Sequence, residues 1–314
     1  MELRKDYILN RYVIVSQTRG NRPHQFDTIA TQDVGNCVFC PGHENETPPE
    51  IMRIPDGKGS WKVRVIPNKF AAAESFGNPL IKTDNSYYTF SDAYGFHEVI
   101  IESPDHAHQL WDAPTENIVE LLGIYKKRVI DLSKRPNIKS VTLFKNSGRD
   151  AGTSIVHTHT QIVANNIVSP QIEEELFAIK KYKTCPYCDI LDREKNSLRR
   201  CFENNSFIAF TPYASRFHYE VWIFPKKHVC SFVQFSSEET SNLAEMMRLI
   251  LQKLKSLNAP YNYLFHFSED ALYHFHVEFI PRLAIFAGFE YGSNITINSV
   301  SPEDAAKFYR GENE

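Results

Sequence analysis

The sequence contains no apolar stretch that approaches the roughly 20 residues a membrane-spanning helix requires. Its first residues, MELRKD, are charged, which is not typical of a signal peptide. Lys and Arg number 35 and Asp and Glu 38, so the net charge is only −3 and nothing in it favours nucleic acid or an anionic membrane. We therefore expect a soluble, cytoplasmic protein that has neither a membrane nor a nucleic acid as its partner.

The chain is long enough for one large or two medium domains, with 314 residues. Its 42% of hydrophobic residues, many of them aromatic, can bury a substantial core. Four of the six cysteines form two Cys-x-x-Cys pairs, Cys37 with Cys40 and Cys185 with Cys188. In a cytosolic protein such pairs are metal ligands or redox couples more often than disulfides. The twelve histidines favour metal ligands.

The stretch FKNSGRDAGTSIVHTHTQIVA, residues 144–164, combines several polar signals. A β-prone segment leads into a turn rich in Gly and Ser, whose backbone N–H groups could bind an anion. An alternating strand follows, and period two places His157, His159 and Gln161 on one face, opposite Thr158 and Thr160. A polar face on a half-exposed strand is the simpler interpretation. The glycine-rich turn, the paired histidines and the glutamine together favour a functional site.

This pattern of Asn, Gly-rich loop, Ser and His-x-His-x-Gln resembles the active-site strand of galactose-1-phosphate uridylyltransferases, the nucleotidyl-transferring branch of the histidine triad superfamily. The resemblance implies that His159 is the nucleophile and that Ser154 and Gln161 hold the transferred phosphate. Hydrolases of the superfamily usually have a third histidine where this chain has Gln161. Asn146 and Gly152 of the preceding loop match positions that bind the substrate.

The resemblance covers nearly the full length and implies further sites. A histidine after Ser-Pro ligates zinc in the family, so the first metal site comprises Cys37, Cys40, His106 and His157, with His108 as the alternative to His106. The segments that contact the nucleotide and the hexose in the family supply the remaining substrate-binding candidates, which are Arg22, Asn68, Phe70, Phe289 and Glu290.

The second half of the chain repeats the order of the first: Cys-x-x-Cys, a strand ending in histidine, a helix, a strand and His-x-His. Such a duplication predicts a second zinc site at Cys185, Cys188, His228 and His274. A redox pair beside core histidines is one alternative. Several uridylyltransferases instead hold a metal here with one Glu and three His. The candidates for that alternative are Glu174 or Glu175 with His266, His274 and His276. Glu278 stands where the first half has Gln161, and the Gly/Ser loop is missing, so the second repeat is expected to be structural.

We therefore predict an α+β fold of two tandem histidine-triad-like repeats, with antiparallel sheets and flanking helices. Residues 1–170 would form the catalytic domain and residues 171–314 the structural repeat. Because dimers are usual in the family, the resemblance also implies a homodimer.

The resemblance implies transfer of a nucleoside monophosphate from a nucleotide sugar through a nucleotidyl-histidine. The first choice is a UDP-glucose:hexose-1-phosphate uridylyltransferase of galactose metabolism. The alternative is an ADP-glucose phosphorylase, which uses phosphate as acceptor. Three departures from the uridylyltransferase pattern keep it open: Thr158 stands between the histidines in place of Pro, Lys69 replaces an acidic residue, and Ala284 and Ile285 lie where a basic residue is typical. A nucleotide hydrolase and a non-catalytic, zinc-stabilised nucleotide-binding module rank lower.

Overall fold

The computed structural model describes residues 1–17 and 37–312. Its strands are β1 Glu2–Lys5, β2 Tyr12–Val15, β3 Met52–Pro55, β4 Trp61–Pro67, β5 Lys82–Asp84, β6 Tyr88–Phe90, β7 Gly95–Ile101, β8 Ser140–Ser147, β9 His159–Asn165, β10 Arg200–Glu203, β11 Phe207–Phe210, β12 Val221–Pro225, β13 Tyr261–His266, β14 His276–Pro281 and β15 Ile295–Asn298. Its α-helices are α1 Thr115–Ser133, α2 Pro170–Ile179, α3 Pro186–Glu194, α4 Ser237–Ser256, α5 Gly288–Ser293 and α6 Pro302–Arg310.

Ten strands form one continuous sheet in the order β10-β11-β12-β14-β13-β8-β9-β7-β4-β3. Each neighbouring pair is antiparallel. Read outwards from the central pair, β8 and β13, the strands of the two halves follow the same chain order. The duplicated α+β fold predicted from the sequence is therefore confirmed, and its repeats share a single sheet.

Helices α1 and α4 occupy equivalent places in the two repeats and contact each other. In α1 the buried stripe includes Ile118, Leu121, Tyr125 and Val129, as its helical period requires. The start of α4 is fixed by the capping box expected there: Ser236 N–H donates to Glu239, and Glu239 N–H donates to the Ser236 hydroxyl. Together with one face of the sheet, the two helices enclose the main hydrophobic core.

A three-stranded sheet joins the two ends of the chain, because β15 pairs with β2 in parallel and β2 pairs with β1 antiparallel. Arg4 of β1 also forms an ion pair with Glu303 of α6, with its Nη1 3.0 Å from the carboxylate. The N-terminal strands therefore lie with the second repeat, whereas the sequence places the boundary between the two domains at residues 170 and 171. The division at that position stays a prediction.

The helices of the described residues do not include a membrane span. Within residues 1–17 and 37–312, none of them is both long enough and apolar enough to cross a lipid bilayer.

Candidate active site and metal centres

His159 is the first residue of β9, and one nitrogen of its ring is hydrogen-bonded to the backbone. Its Nδ1–H donates to the carbonyl oxygen of His157 at 2.8 Å, which leaves Nε2 without a proton in the neutral ring. Burial and the nearby Lys145 ammonium lower the pKa of His159 to about 4. The ring of Phe39 meets it edge-on at 5.5 Å. His159 is therefore a neutral imidazole with a free electron pair, which is what a nucleophile requires.

Gln161 lies two residues further along β9, on the same face as His159. Its Oε1 is 2.9 Å from His97 Nε2 and 3.5 Å from Asn68 Nδ2. The predicted nucleotide-binding residue Asn68 is thus held beside the predicted phosphate-binding Gln161. His97 was not anticipated, since a single histidine at the start of a strand carries no motif.

The Gly/Ser turn between β8 and β9 depends on two glycines. Gly148 has φ +86°, and a Cβ there would come within 2.8 Å of Pro260, so no side chain fits. Gly152 has φ +87°, and a Cβ at that position would lie 3.8 Å from the amide nitrogen of Asn146. Ser154 follows and is exposed. The turn therefore brings Gly152 next to Asn146, while Ser154 stays a predicted phosphate ligand.

The opposite face of β9 carries a buried polar network that sequence reasoning missed. Lys145 Nζ donates to Glu102 at 2.6 Å, and to the His159 carbonyl oxygen and the Thr158 hydroxyl at 2.9 Å each. Thr158 and Thr160 both donate to the Glu102 carboxylate. Burial would raise the pKa of Glu102, but Lys145 and the threonine hydroxyls hold it below its usual value. Thr158 stands where uridylyltransferases commonly have proline, and its hydroxyl is hydrogen-bonded to Lys145 and Glu102.

The four ligands predicted for the first metal site, Cys37, Cys40, His106 and His157, come together with their donor atoms all within 4.8 Å of one another. The separations from Cys40 Sγ to His106 Nδ1 and to His157 Nδ1 are 3.5 and 3.6 Å. Tetrahedral zinc, with bonds of about 2.3 Å to S and 2.0–2.1 Å to N, places such atoms about 3.6 Å apart. His157 Nε2 donates to the Ser103 carbonyl oxygen at 2.7 Å, so its Nδ1 is free for a metal.

The second predicted set, Cys185, Cys188, His228 and His274, has the same geometry. Sulfur-to-Nδ1 separations are 3.6 Å from Cys188 to His228 and 3.6 Å from Cys185 to His274. The Nε2 atoms of the two histidines donate to backbone carbonyl oxygens at 2.8 and 3.1 Å. The donor atoms of this set therefore suit a tetrahedral metal ion as well as those of the first set do.

The alternative ligand set divides between two places. His274 belongs to the Cys185 cluster, whereas Glu175, His266 and His276 form a separate buried group. Glu174 forms an ion pair with Arg11 at 2.6 Å. In this group the ring of His276 lies between Phe224 and His266, stacked at 4.6 and 4.4 Å. The second repeat therefore keeps its His-x-His pair but covers both faces of the ring that corresponds to His159.

The remaining predicted site residues are not among the groups described so far. Phe70 is exposed next to Asn68. Phe289 and Glu290 lie in α5, where the Glu290 carboxylate accepts the Ala287 N–H at 2.9 Å and so caps its own helix. Arg22 falls outside the described residues, and His108 is not among the ligands gathered around Cys37.

The chain is similar to known proteins in sequence and in fold. A family model described as a domain of unknown function, DUF4921, matches residues 122–308, and the N-terminal domain model of DUF4931 matches residues 68–168. ADP-glucose phosphorylase of Arabidopsis thaliana is 35% identical over 98% of this chain and 92% of its own length. Galactose-1-phosphate uridylyltransferase of Thermotoga maritima is 29% identical over 99% and 98%. A crystal structure of the Arabidopsis phosphorylase with bound ADP-glucose matches with a TM-score of 0.84 at 34% identity, covering 98% of each chain.

The chain belongs to the galactose-1-phosphate uridylyltransferase family, in which ADP-glucose phosphorylase is also found. Its membership confirms the resemblance read from the His-x-His-x-Gln strand. As a member of this family, it is an enzyme of the nucleotidyltransferase type.

Proposed function

We propose that this enzyme transfers a nucleoside monophosphate from a nucleotide sugar to phosphate, with ADP-glucose as donor. The free Nε2 of His159 beside the Gln161 carboxamide is the observation that supports transfer. The greater likeness to ADP-glucose phosphorylase, 35% identity against 29% for the uridylyltransferase, favours the adenine nucleotide. The sequence alone ranked the uridylyltransferase first, and both activities fit the relatives; we propose the phosphorylase on this difference in identity.

In the first step the Nε2 electron pair of His159 attacks the α-phosphorus of the nucleotide sugar. A P–N bond forms while the P–O bond to the β-phosphate breaks, and the sugar 1-phosphate leaves as an anion. Because this leaving group is already stable as an anion, no strong general acid is required, consistent with glutamine in place of a third histidine. Donors from Gln161 and the Gly148–Ser154 turn would bind the non-bridging oxygens as charge shifts onto them.

In the second step an oxygen of inorganic phosphate attacks the same phosphorus, and the P–N bond breaks. The products are ADP and a neutral His159 ring. Donor and acceptor use one nucleophile in turn, so the kinetics should be ping-pong. A cavity of about 370 Å³ is lined by residues 71–74, 76–77 and 92–93 and offers space for the nucleoside. Its lining residue Ala72 lies against His97, with its N–H 3.1 Å from His97 Nδ1.

We also propose that zinc occupies both Cys2His2 sites, because two thiolates and two imidazoles at these distances suit its size and softness. Zinc would contribute folding free energy and hold the Cys37 segment and His157 beside the nucleophile. Exposed apolar side chains such as Phe76, Leu80 and Tyr87 support the expected homodimer. A cytoplasmic location stays part of the proposal.

The test is a matrix of ADP-glucose and UDP-glucose, each with inorganic phosphate or galactose 1-phosphate, assayed for new nucleotide products. We expect rapid formation of ADP and glucose 1-phosphate from ADP-glucose and phosphate. Labelled nucleotide should also be trapped on the protein when no acceptor is present. Preference for UDP-glucose with galactose 1-phosphate would instead establish the second candidate, which the full-length match to the Thermotoga enzyme supports. Release of free AMP without any acceptor would indicate a hydrolase.

A further inference from the structure

Two side-chain amides of the predicted phosphate site, those of Gln161 and Asn146, accept hydrogen bonds from the protein itself through their oxygen atoms. A carboxamide has one accepting end and one donating end, so fixing the oxygen also fixes the direction of the NH2 group. The donors can be identified from backbone groups, whose hydrogen-bonding roles are not ambiguous.

For Gln161 the assignment begins at a backbone N–H. Ala72 N–H points at His97 Nδ1 from 3.1 Å, so Nδ1 must be the accepting nitrogen of that ring. Burial lowers the pKa of His97, which keeps the ring neutral and places its single proton on Nε2. His97 Nε2–H therefore donates to Gln161, and the atom it meets at 2.9 Å is Oε1.

Asn68 supports the same orientation. Phe70 N–H donates to Asn68 Oδ1 at 2.9 Å, so the other end of that amide is the NH2 group. This group lies 3.1 Å from His97 Nε2 and 3.5 Å from Gln161 Oε1. Since both nitrogens carry hydrogen, they do not bond to each other but converge on one oxygen. The NH2 group of Gln161 must then point away from both.

For Asn146 the donor comes from the second repeat. Asn262 of β13 is directly opposite Asn146 of β8. Its Nδ2 lies 2.8 Å from the Ala151 carbonyl oxygen, which can only accept, so this atom is the NH2 group. Its second hydrogen is directed at Asn146 Oδ1, also at 2.8 Å. The NH2 group of Asn146 is therefore turned towards the Gly152 side of the turn.

We propose that His97 and Asn262 are positioning residues that hold the amides of Gln161 and Asn146 with their NH2 groups towards the transferred phosphate. The inference rests on the proposed function for the identity of that phosphate. It also gives the second repeat a part in the reaction, since Asn262 acts on the site across the central strand pair. Neither positioning residue touches the substrate.

The first test reads the His97 ring without any turnover. Long-range ¹H–¹⁵N NMR of the protein labelled at its histidines should show His97 neutral at pH 7, with the proton on Nε2. Gln161→Ala should shift the Nε2 resonance because it removes the acceptor. A His97 that is protonated on Nδ1, or charged at that pH, would overturn the proposal whatever the enzyme catalyses.

The second test consists of two double-mutant cycles on nucleotidyl transfer. His97→Phe keeps a ring but removes the donor, and it should lower kcat roughly 10- to 100-fold with little change in KM. In a Gln161→Ala background the same change should alter kcat by no more than about twofold, because His97 is proposed to act on the phosphate through Gln161. Asn262→Ala should behave in the same way towards Asn146→Ala.

Two further variants distinguish a positioning role of His97 and Asn262 from a general contribution to the stability of the fold. His97→Gln offers an N–H near the place of Nε2 and should restore kcat to within about threefold of the wild type. Asn262→Asp keeps the size but replaces the donor with an acceptor, so it should reduce kcat more than Asn262→Ala. Additive losses in either cycle, with each variant folded by circular dichroism, would refute the proposal. A wild-type enzyme that transfers no nucleotide would refute only the proposed function.

Discussion

The imidazole of His159 keeps a free electron pair because its other nitrogen already donates to the His157 carbonyl oxygen. An asparagine at this position can make the same bond but has no nucleophilic nitrogen. His159→Asn should therefore lower nucleotidyl transfer by at least about a thousandfold, measured as glucose 1-phosphate released from ADP-glucose. Zinc content should be unchanged in the same preparation. Near-normal activity would contradict the assignment of the nucleophile.

Lys145 and Glu102 form a buried ion pair next to the backbone of His159, and both side chains are only 1% exposed. Lys145→Met leaves a carboxylate without its cation, which should cost about 3–5 kcal/mol of unfolding free energy in urea titrations. Lys62→Met is the matched control, since Lys62 is half exposed and lies 3.8 Å from Glu120. Its effect should not exceed about 1 kcal/mol. Equal losses in the two variants would show that the buried pair has no special role.

At the level of elements, the turn between β8 and β9, which is the predicted anion-binding loop, depends on the backbone conformation of Gly148. Gly148→Ala adds a Cβ that approaches Pro260 to 2.8 Å on a backbone with φ +86°. We expect a loss of roughly 1–3 kcal/mol in stability, together with reduced activity as the loop shifts. Gly123→Ala is a suitable control, because Gly123 lies in α1 with open space around its Cβ position. That change should stabilise by up to about 1 kcal/mol in the same thermal or urea melts.

Much of this architecture could be predicted from local pattern. The period of two along β9 placed His159 and Gln161 on one face, and the repeated order of motifs indicated the duplicated fold. The contributions of His97, Glu102 and Asn262 could not be predicted, because each meets its partner across strands far apart in the sequence. Asn262 and Asn146 are 116 positions apart, and only the β8–β13 register makes them neighbours.

For the whole molecule, the two metal sites should differ in what they support. Cys185→Ser should lower the free energy of unfolding by at least about 2 kcal/mol while kcat stays within about threefold of the wild type. Cys37→Ser should reduce both the free energy of unfolding and kcat. Cys37 shares its site with His157, whose carbonyl oxygen accepts the hydrogen bond from His159 Nδ1. Metal analysis of the wild type should find two zinc ions per chain. One equivalent or none would contradict the two-site proposal.

The central strand pair has a consequence for any attempt to split the protein. Residues 143–147 of β8 are matched along their length by residues 261–265 of β13. A fragment that ended before β13 would present β8 as a bare edge, with unsatisfied backbone groups beside its own nucleophile. Such a fragment should self-associate by pairing of its exposed β8 edge. It would also lack Asn262, so Asn146 would lose the donor that orients its amide unless a second copy placed an asparagine opposite it.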